Sequence, residues 1–128
     1  RMAEFAPEFP DWHLLEMDLS EAAGEVAGIC GEIDAAIIDM AEPWTVVPEI
    51  AATVKTGGRL ACYCPTTAQL EKSWNAVEEE GLIVEFAGEM IERRWSKAAK
   101  GGVRPGNQPM GHTAFLLIAG KIASPEEE

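Results

Sequence analysis

The chain has 128 residues, 47% of them hydrophobic and 25% charged, which suits one domain with a buried core. Its 22 acidic and 10 basic residues leave a formal net charge of −12, so general binding to nucleic acid or to an anionic membrane is not expected. Cys30, Cys62 and Cys64 form neither a CxxC pair nor an even-numbered disulfide framework, and His13 and His112 are too few and too distant to suggest a metal.

In chain order, Arg1 to Phe9 reads as the frayed end of a helix, and a start on Arg without Met is expected of an excised piece or a cleavage product. The acids and prolines of Arg1 to Pro10 stand where a signal peptide needs apolar residues. Trp12 to Met17 reads as a short strand with Asp18 at its tip, and Ser20 to Cys30 as a weak helix or a loop. Asp34 to Asp39, apolar and bounded by polar residues, predicts a strand. Pro43 suits the first turn of a helix running to about Lys55, because its missing N–H would have no partner there. Val46, Val47, Ile50 and Val54 recur at helical spacing and should face the sheet, and Gly57-Gly58 should stop that helix.

Arg59 to Cys64 is the next expected strand, ended by Pro65, and Cys62 and Cys64 on it read as reduced, intracellular core thiols. Thr67 to Glu80 predicts a helix with Leu70, Trp74 and Val77 on one face, closed by Gly81. Leu82 to Ala87 is a strand, Ile91 to Met110 is irregular, and Thr113 to Ile122 is the last strand. The longest clean apolar run, Ala114 to Ala119, is too short to span a membrane, so a soluble, cytoplasmic protein is expected. Residues 1–123 should form one partial domain, with residues 124–128 as a disordered acidic tail. Strands alternating with helices predict an α/β fold, mostly parallel, with right-handed crossovers. No helix separates the last two strands, which can form an antiparallel pair.

Asp39 sits at the carboxyl end of a predicted strand, where ligands collect in open α/β sheets. No glycine-rich strand-to-helix turn precedes it, so the sequence reads as a catalytic half without the half that cradles a nucleotide-type cofactor. Arg93, Arg94, Lys97, Lys100 and Arg104 supply five of the ten basic residues, and no acid occurs between Glu92 and Glu126. Such a segment is either a local phosphate site or a solvated loop.

Three motifs occur in series. They are Asp39-Met-Ala-Glu-Pro43-Trp44, then Gly57-Gly58-Arg-Leu-Ala-Cys-Tyr63-Cys-Pro65-Thr-Thr-Ala-Gln69. The third runs from Arg93-Arg94-Trp95 through Arg104-Pro105 to Gly111-His112-Thr113-Ala-Phe115. In this order, from about Leu14 to Lys121, they resemble the tRNA N1-methyladenosine methyltransferases that act on the T-loop adenosine. The match covers the C-terminal half of that family's catalytic domain. The resemblance implies a Rossmann-like class I methyltransferase sheet with an antiparallel last strand, S-adenosylmethionine as cofactor and tRNA as partner. It also implies a homo-oligomer, since the family is typically tetrameric.

The resemblance further implies roles residue by residue. Asp39 would accept from the adenine amine as positive charge develops on the base, and Asp18 would accept from the cofactor's adenine. Pro43 and Trp44 would shape the cofactor side of the pocket, and Tyr63 and Pro65 the substrate side. Gln69, Arg93, Arg94, Arg104, His112 and Thr113 would lie toward the RNA. Plainer roles stand beside these: a helix cap or turn aspartate for Asp39, a strand-end turn for Asp18, a helix anchor for Trp44. For Gln69 the plainer role is a first-turn helix position, for Arg93 and Arg94 pairing with Glu89 and Glu92, and for His112 a structural histidine.

Two other functions fit the residues less closely. One is a non-catalytic RNA-binding or assembly module. The other is a small-molecule methyltransferase of the same fold, against which the basic segment counts. As an isolated chain the residues are expected to be inactive, because a glycine loop and a helix N-terminus are needed to hold the cofactor.

Overall fold

Burial alternates along Leu60, Cys62 and Cys64, each fully buried, and this pattern sets the plan of the molecule. The computed structural model describes residues 12–106 and 113–123. Helix α1 is Leu19–Cys30, strand β1 is Ile33–Ile38, and a 3₁₀ turn at Pro43–Thr45 leads into helix α2, Val47–Thr53. Strand β2 is Val54–Cys64, helix α3 is Thr67–Glu79 and strand β3 is Ile83–Gly88. Two short strands follow, β4 at Trp95–Lys97 and β5 at Val103–Pro105, and then β6 at Phe115–Gly120.

The main sheet has the order β1-β2-β6-β3. β1 and β2 pair in parallel, with Ile38 opposite Cys62. β6 runs antiparallel to both its neighbours, with Cys64 opposite Phe115 on one side and Gly88 opposite Leu116 on the other. The expected α/β class and the expected antiparallel pairing of the last two strands hold. One detail of the parallel expectation does not: β2 and β3, joined through α3, point the same way but are not neighbours. The wholly apolar β6 fills the gap between them, which covers both of its edges and buries Leu117 and Ala119 completely.

The core lies where the helices meet one face of this sheet. Val46, Val47, Ile50, Val54 and Val77 pack there against Ile38, Leu60, Leu117 and Ala119. The helical spacing of Val46, Val47 and Ile50 is thus read correctly from sequence. Cys62 and Cys64 are free and buried, as expected of core thiols, while Cys30 is exposed. Burial pushes the Cys62 thiol up to about 12, with the neighbouring Cys64 adding to the rise, and pushes Cys64 up as well. On the opposite sheet face Ile37 is 81% exposed, and Tyr63, Ile83 and Phe86 are also exposed.

Other expectations of the elements are settled or corrected by the structure. Trp12 to Met17 forms no strand: a strand exists only through a ladder, and no pairing of β1 beyond β2 is present among the described residues. Of the two readings of Ser20 to Cys30 the helix holds, because Asp18 caps it and Gly31, at φ 72, ends it. The second helix stops at Thr53 and not Lys55, since Val54 already pairs with Ile33. Lys121 Nζ closes that end by donating to the carbonyls of Ala51 at 3.0 Å and Val54 at 2.7 Å. The segment from Ile91 is not wholly irregular, because Trp95–Lys97 and Val103–Pro105 form a hairpin turned at Gly101 and Gly102. Arg1 to Phe9, the 107–112 part of the long loop and the tail from Ser124 lie outside the described residues.

Gly57 and Gly58 stop no helix; they sit in β2 beside the end of β6. Gly57 N–H donates to Lys121 O at 2.8 Å, and Lys121 N–H to Gly58 O at 3.0 Å. A Cβ on Gly58 would lie 2.7 Å from Asp34 O, 2.7 Å from Val54 Cγ1 and 2.9 Å from Lys55 O. Two of those atoms are backbone and cannot swing aside. Gly58→Ala should therefore destabilise the fold by about 1–3 kcal/mol in a urea titration. Gly24→Ala, inside α1 with nothing within 4 Å of its Cβ, should stabilise it by about 0.5–1 kcal/mol.

Candidate active site

The parallel register between β1 and β2 builds one edge of the sheet. Ile38 stands opposite Cys62, so the next residues, Asp39 and Tyr63, emerge side by side at the carboxyl ends of the two strands. β6 begins at the same edge, because Phe115 lies opposite Cys64. Thr113 precedes β6 and Glu89 follows β3, and Thr113 Oγ1 donates to Glu89 Oε2 at 2.7 Å. Asp39, Tyr63, Pro65, Glu89 and Thr113 thus share one edge.

Asp39 is exposed, and no hydrogen bond or ion pair engages its carboxylate among the described residues. The turn after it closes without it: Thr45 N–H donates to Glu42 O at 3.1 Å, and the 3₁₀ turn has no side-chain cap. The structure therefore does not use Asp39 as a helix cap. Three acids elsewhere in the fold are, by contrast, committed to cations. Asp34 pairs with Lys55, Glu85 accepts from Arg59 Nε at 2.8 Å, and Glu92 accepts from Arg94 Nε at 2.6 Å.

Pro43 is buried and Trp44 half-buried, so the turn is anchored at its far end. The cation of Lys72 lies 4.6 Å from the centre of the Trp44 ring. From the same helix Gln69 Nε2 donates to Ala41 O at 2.8 Å. Gln69 Oε1 accepts from Thr66 N–H at 2.9 Å and Thr66 Oγ1 at 2.8 Å, and Gln69 N–H donates back to Thr66 Oγ1 at 3.2 Å. This is a reciprocal capping box at the start of α3. Sequence reasoning missed Lys72; the signal was its spacing of three from Gln69, which puts both on one face of the helix.

Asp18 lies at the start of α1, where its Oδ1 accepts from Ser20 N–H at 3.0 Å and Ser20 Oγ at 2.7 Å. Those bonds hold its carboxyl below the usual carboxylate range. Its Oδ2 takes part in neither. Arg93, Arg94 and Arg104 are exposed around the β4–β5 hairpin, with Arg104 opposite Ser96. Arg94 pairs with Glu92, as one of the plainer readings had it, and its carbonyl accepts from Gly106 N–H at 2.8 Å. His112 lies outside the described residues. Among the described residues no group of three or more His, Cys, Asp or Glu is arranged to hold a metal, and no helix is long and apolar enough to cross a membrane.

This half-sheet, with its antiparallel strand wedged between parallel-running neighbours, matches an S-adenosylmethionine-dependent O-methyltransferase of Thermotoga maritima. The TM-score is 0.63 at 27% identity, over 73% of this chain and 35% of that one. The fold is that of a Rossmann-like, class I methyltransferase. More narrowly, residues 12–99 match the family described as the tRNA methyltransferase complex GCD14 subunit, and the chain belongs to that family. It is 33% identical over 89 residues to the tRNA (adenine(57)-N(1)/adenine(58)-N(1))-methyltransferase TrmI of Methanocaldococcus jannaschii, covering 69% of this chain and 31% of that protein. It is 31% identical over 104 residues to the tRNA (adenine(58)-N(1))-methyltransferase TrmI of Thermus thermophilus, covering 81% of this chain and 37% of that protein. The chain spans about a third of the length of the curated relatives it matches.

The lowered pKa of Asp18 has a signed consequence. Its contribution to stability is complete above the unfolded carboxylate value of about 3.9 and is lost as pH falls through the lower folded value. Helicity followed at 222 nm should fall in that acid window. Asp18→Asn, which keeps an oxygen acceptor that does not titrate, should remove the Asp18 share of the fall.

Proposed function

We propose that this chain is the C-terminal part of an enzyme that transfers a methyl group from S-adenosylmethionine to N1 of an adenosine in the tRNA T-loop. The observation that carries the reading is Asp39, a carboxylate with no partner among the described residues, at the carboxyl end of β1 and level with Tyr63, in a member of the GCD14 family. The activities of the TrmI relatives support the substrate and the atom modified.

The residues present suit one side of such a site. Bound S-adenosylmethionine would supply an electrophilic methyl group on a positively charged sulfur. Adenine N1 attacks with an in-plane lone pair and needs no base beforehand. With the methyl bonded to N1 and the S–C bond broken to leave a neutral thioether, positive charge would spread over the purine and its exocyclic amine would become more acidic. Asp39 would accept a hydrogen bond from that amine, stabilise the cation and take the proton afterwards. Trp44 offers a flat apolar face for adenine, and Tyr63 and Pro65 border the substrate side. Asp18, with Oδ2 outside its cap bonds, can accept from the amine of the cofactor's adenine. No glycine-rich phosphate-type turn is among these 128 residues, so we assign the main grip on the cofactor to the rest of the enzyme.

The T-loop base would have to leave its stack to reach Asp39. Arg93, Arg94 and Arg104, with their neighbouring lysines, would hold phosphates on an otherwise acidic molecule. The same reading carries a cytoplasmic homo-oligomer whose copies together hold the tRNA.

Calorimetric titration with S-adenosylmethionine should give binding to a chain extended through the glycine-loop half and none to the 128-residue chain. In the extended enzyme Asp39→Ala should lower tRNA methylation on the order of a hundredfold to ten-thousandfold. Undiminished methylation by Asp39→Ala would remove Asp39 from the chemistry. Tight tRNA binding with no methyl transfer by the extended enzyme would favour a non-catalytic RNA-binding module.

A further inference from the structure

We propose that Gln69 is a positioning residue that holds the Asp39–Trp44 turn in place, and that it does not read the RNA base. The inference rests on the reading of Asp39 as the group that meets adenine. Its ground is the set of bonds that already commit the Gln69 amide at both ends.

The orientation of that amide is forced. Thr66 N–H can only donate, so the atom facing it must be the side-chain oxygen. Ala41 O can only accept, so the atom facing it must be the nitrogen. The opposite orientation would set N–H against N–H and oxygen against oxygen. The oxygen also accepts from Thr66 Oγ1 at 2.8 Å, leaving it crowded by two donors. A base placed against Gln69 would have to displace bonds that fix both the helix start and the turn.

The bond to Ala41 spans the two elements that define the site. Ala41 is two residues beyond Asp39 and two before Pro43, in a stretch with no helical or strand bonds of its own. Its carbonyl is therefore a handle on the direction in which Asp39 leaves β1. The handle is held from α3, which begins just past the end of β2. A helix fixed by its own cap passes that fixity to the turn through a single side chain. Lys72, one turn further along α3, seats against Trp44 at the other end of the same stretch.

Capping and holding can be separated by one substitution. Glutamate is a natural capping-box residue, and Gln69→Glu keeps both acceptors for Thr66. It cannot donate to Ala41, and instead faces that carbonyl with an oxygen. Gln69→Ala loses both functions. Amide exchange would be followed at Thr45 and Val46, whose N–H groups donate to Glu42 O and Pro43 O within the turn. Gln69→Glu should speed exchange there by about fivefold to tenfold while Leu70, bonded to Thr66 O at the cap, stays protected. Its melting temperature should stay near that of the parent, and that of Gln69→Ala should fall.

In the complete enzyme, methylation at saturating tRNA should drop on the order of tenfold to a hundredfold in Gln69→Glu. Reading the rate at saturation leaves aside any weaker encounter between the added charge and RNA. Unchanged exchange at Thr45 and Val46 would overturn the proposal. An unchanged saturated rate beside a raised KM would also overturn it, by returning Gln69 to a base contact. A fall in melting temperature as large as that of Gln69→Ala would reduce the bond to a purely structural one and end the proposal. If the parent enzyme does not methylate tRNA, the proposed function fails, and the exchange measurement alone still decides whether Gln69 holds the turn.

Discussion

The structure depends on one antiparallel strand wedged between two that run the other way. Without β6, no strand would join β3 to β2, and α3 would cross over an open gap. With it, the carboxyl ends of β1, β2 and β3 and the amino end of β6 all arrive at one edge. The strand is secured at its far end by Lys121, whose backbone bonds to Gly57 and Gly58 and whose ammonium closes the last turn of α2. A strand apolar along its whole length is driven into the middle of the sheet, because there both edges are paired and Leu117 and Ala119 are sealed beneath the helices.

The working edge is assembled from short-range devices on a long-range frame. A capping box is a local arrangement that would form wherever Thr66 and Gln69 began a helix. Its additional bond to Ala41 is non-local and exists only because the parallel register sets the ends of β1 and β2 level. The same edge leaves Asp39 without a partner among the described residues, while Asp34, Glu85 and Glu92 elsewhere are each paired with a cation. An unpaired carboxylate costs little in water and is available to a donor that arrives with the substrate.

The sequence was legible where a single physical preference dominated. The apolar residues between Asp34 and Asp39, the spacing of Val46, Val47 and Ile50, and the glycine closing α3 each pointed one way, and the structure agrees to within a residue. Asp39 stands out in the sequence because it ends such a run. Trp12 to Met17 was misread because a short apolar-rich segment proposes a strand but cannot supply its partner. Gly57-Gly58 was misread because glycine serves equally as a helix stop and as a place where two backbones meet, and only the contact with Asp34 and Lys55 distinguishes them. The hairpin at Trp95 was hidden by its three-residue strands, too short to carry a period. Lys121 and Lys72 were invisible for another reason: their roles depend on elements 67 residues away in one case and 28 in the other.

The two cysteines in β2 carry a consequence of a different kind. Alkylation needs a thiolate, and Cys62 and Cys64 are both sealed from reagent and held in the protonated form, whereas Cys30 stands exposed on α1. A folded molecule pulsed with a small haloacetamide gains one label, and an unfolded one gains three. The chain thus carries a mass tag for its own opening, read from intact molecules without any engineered probe. Because the silent pair lies in the strand that joins β1 to β6, the tag reports separation of the sheet itself, not fraying at its ends.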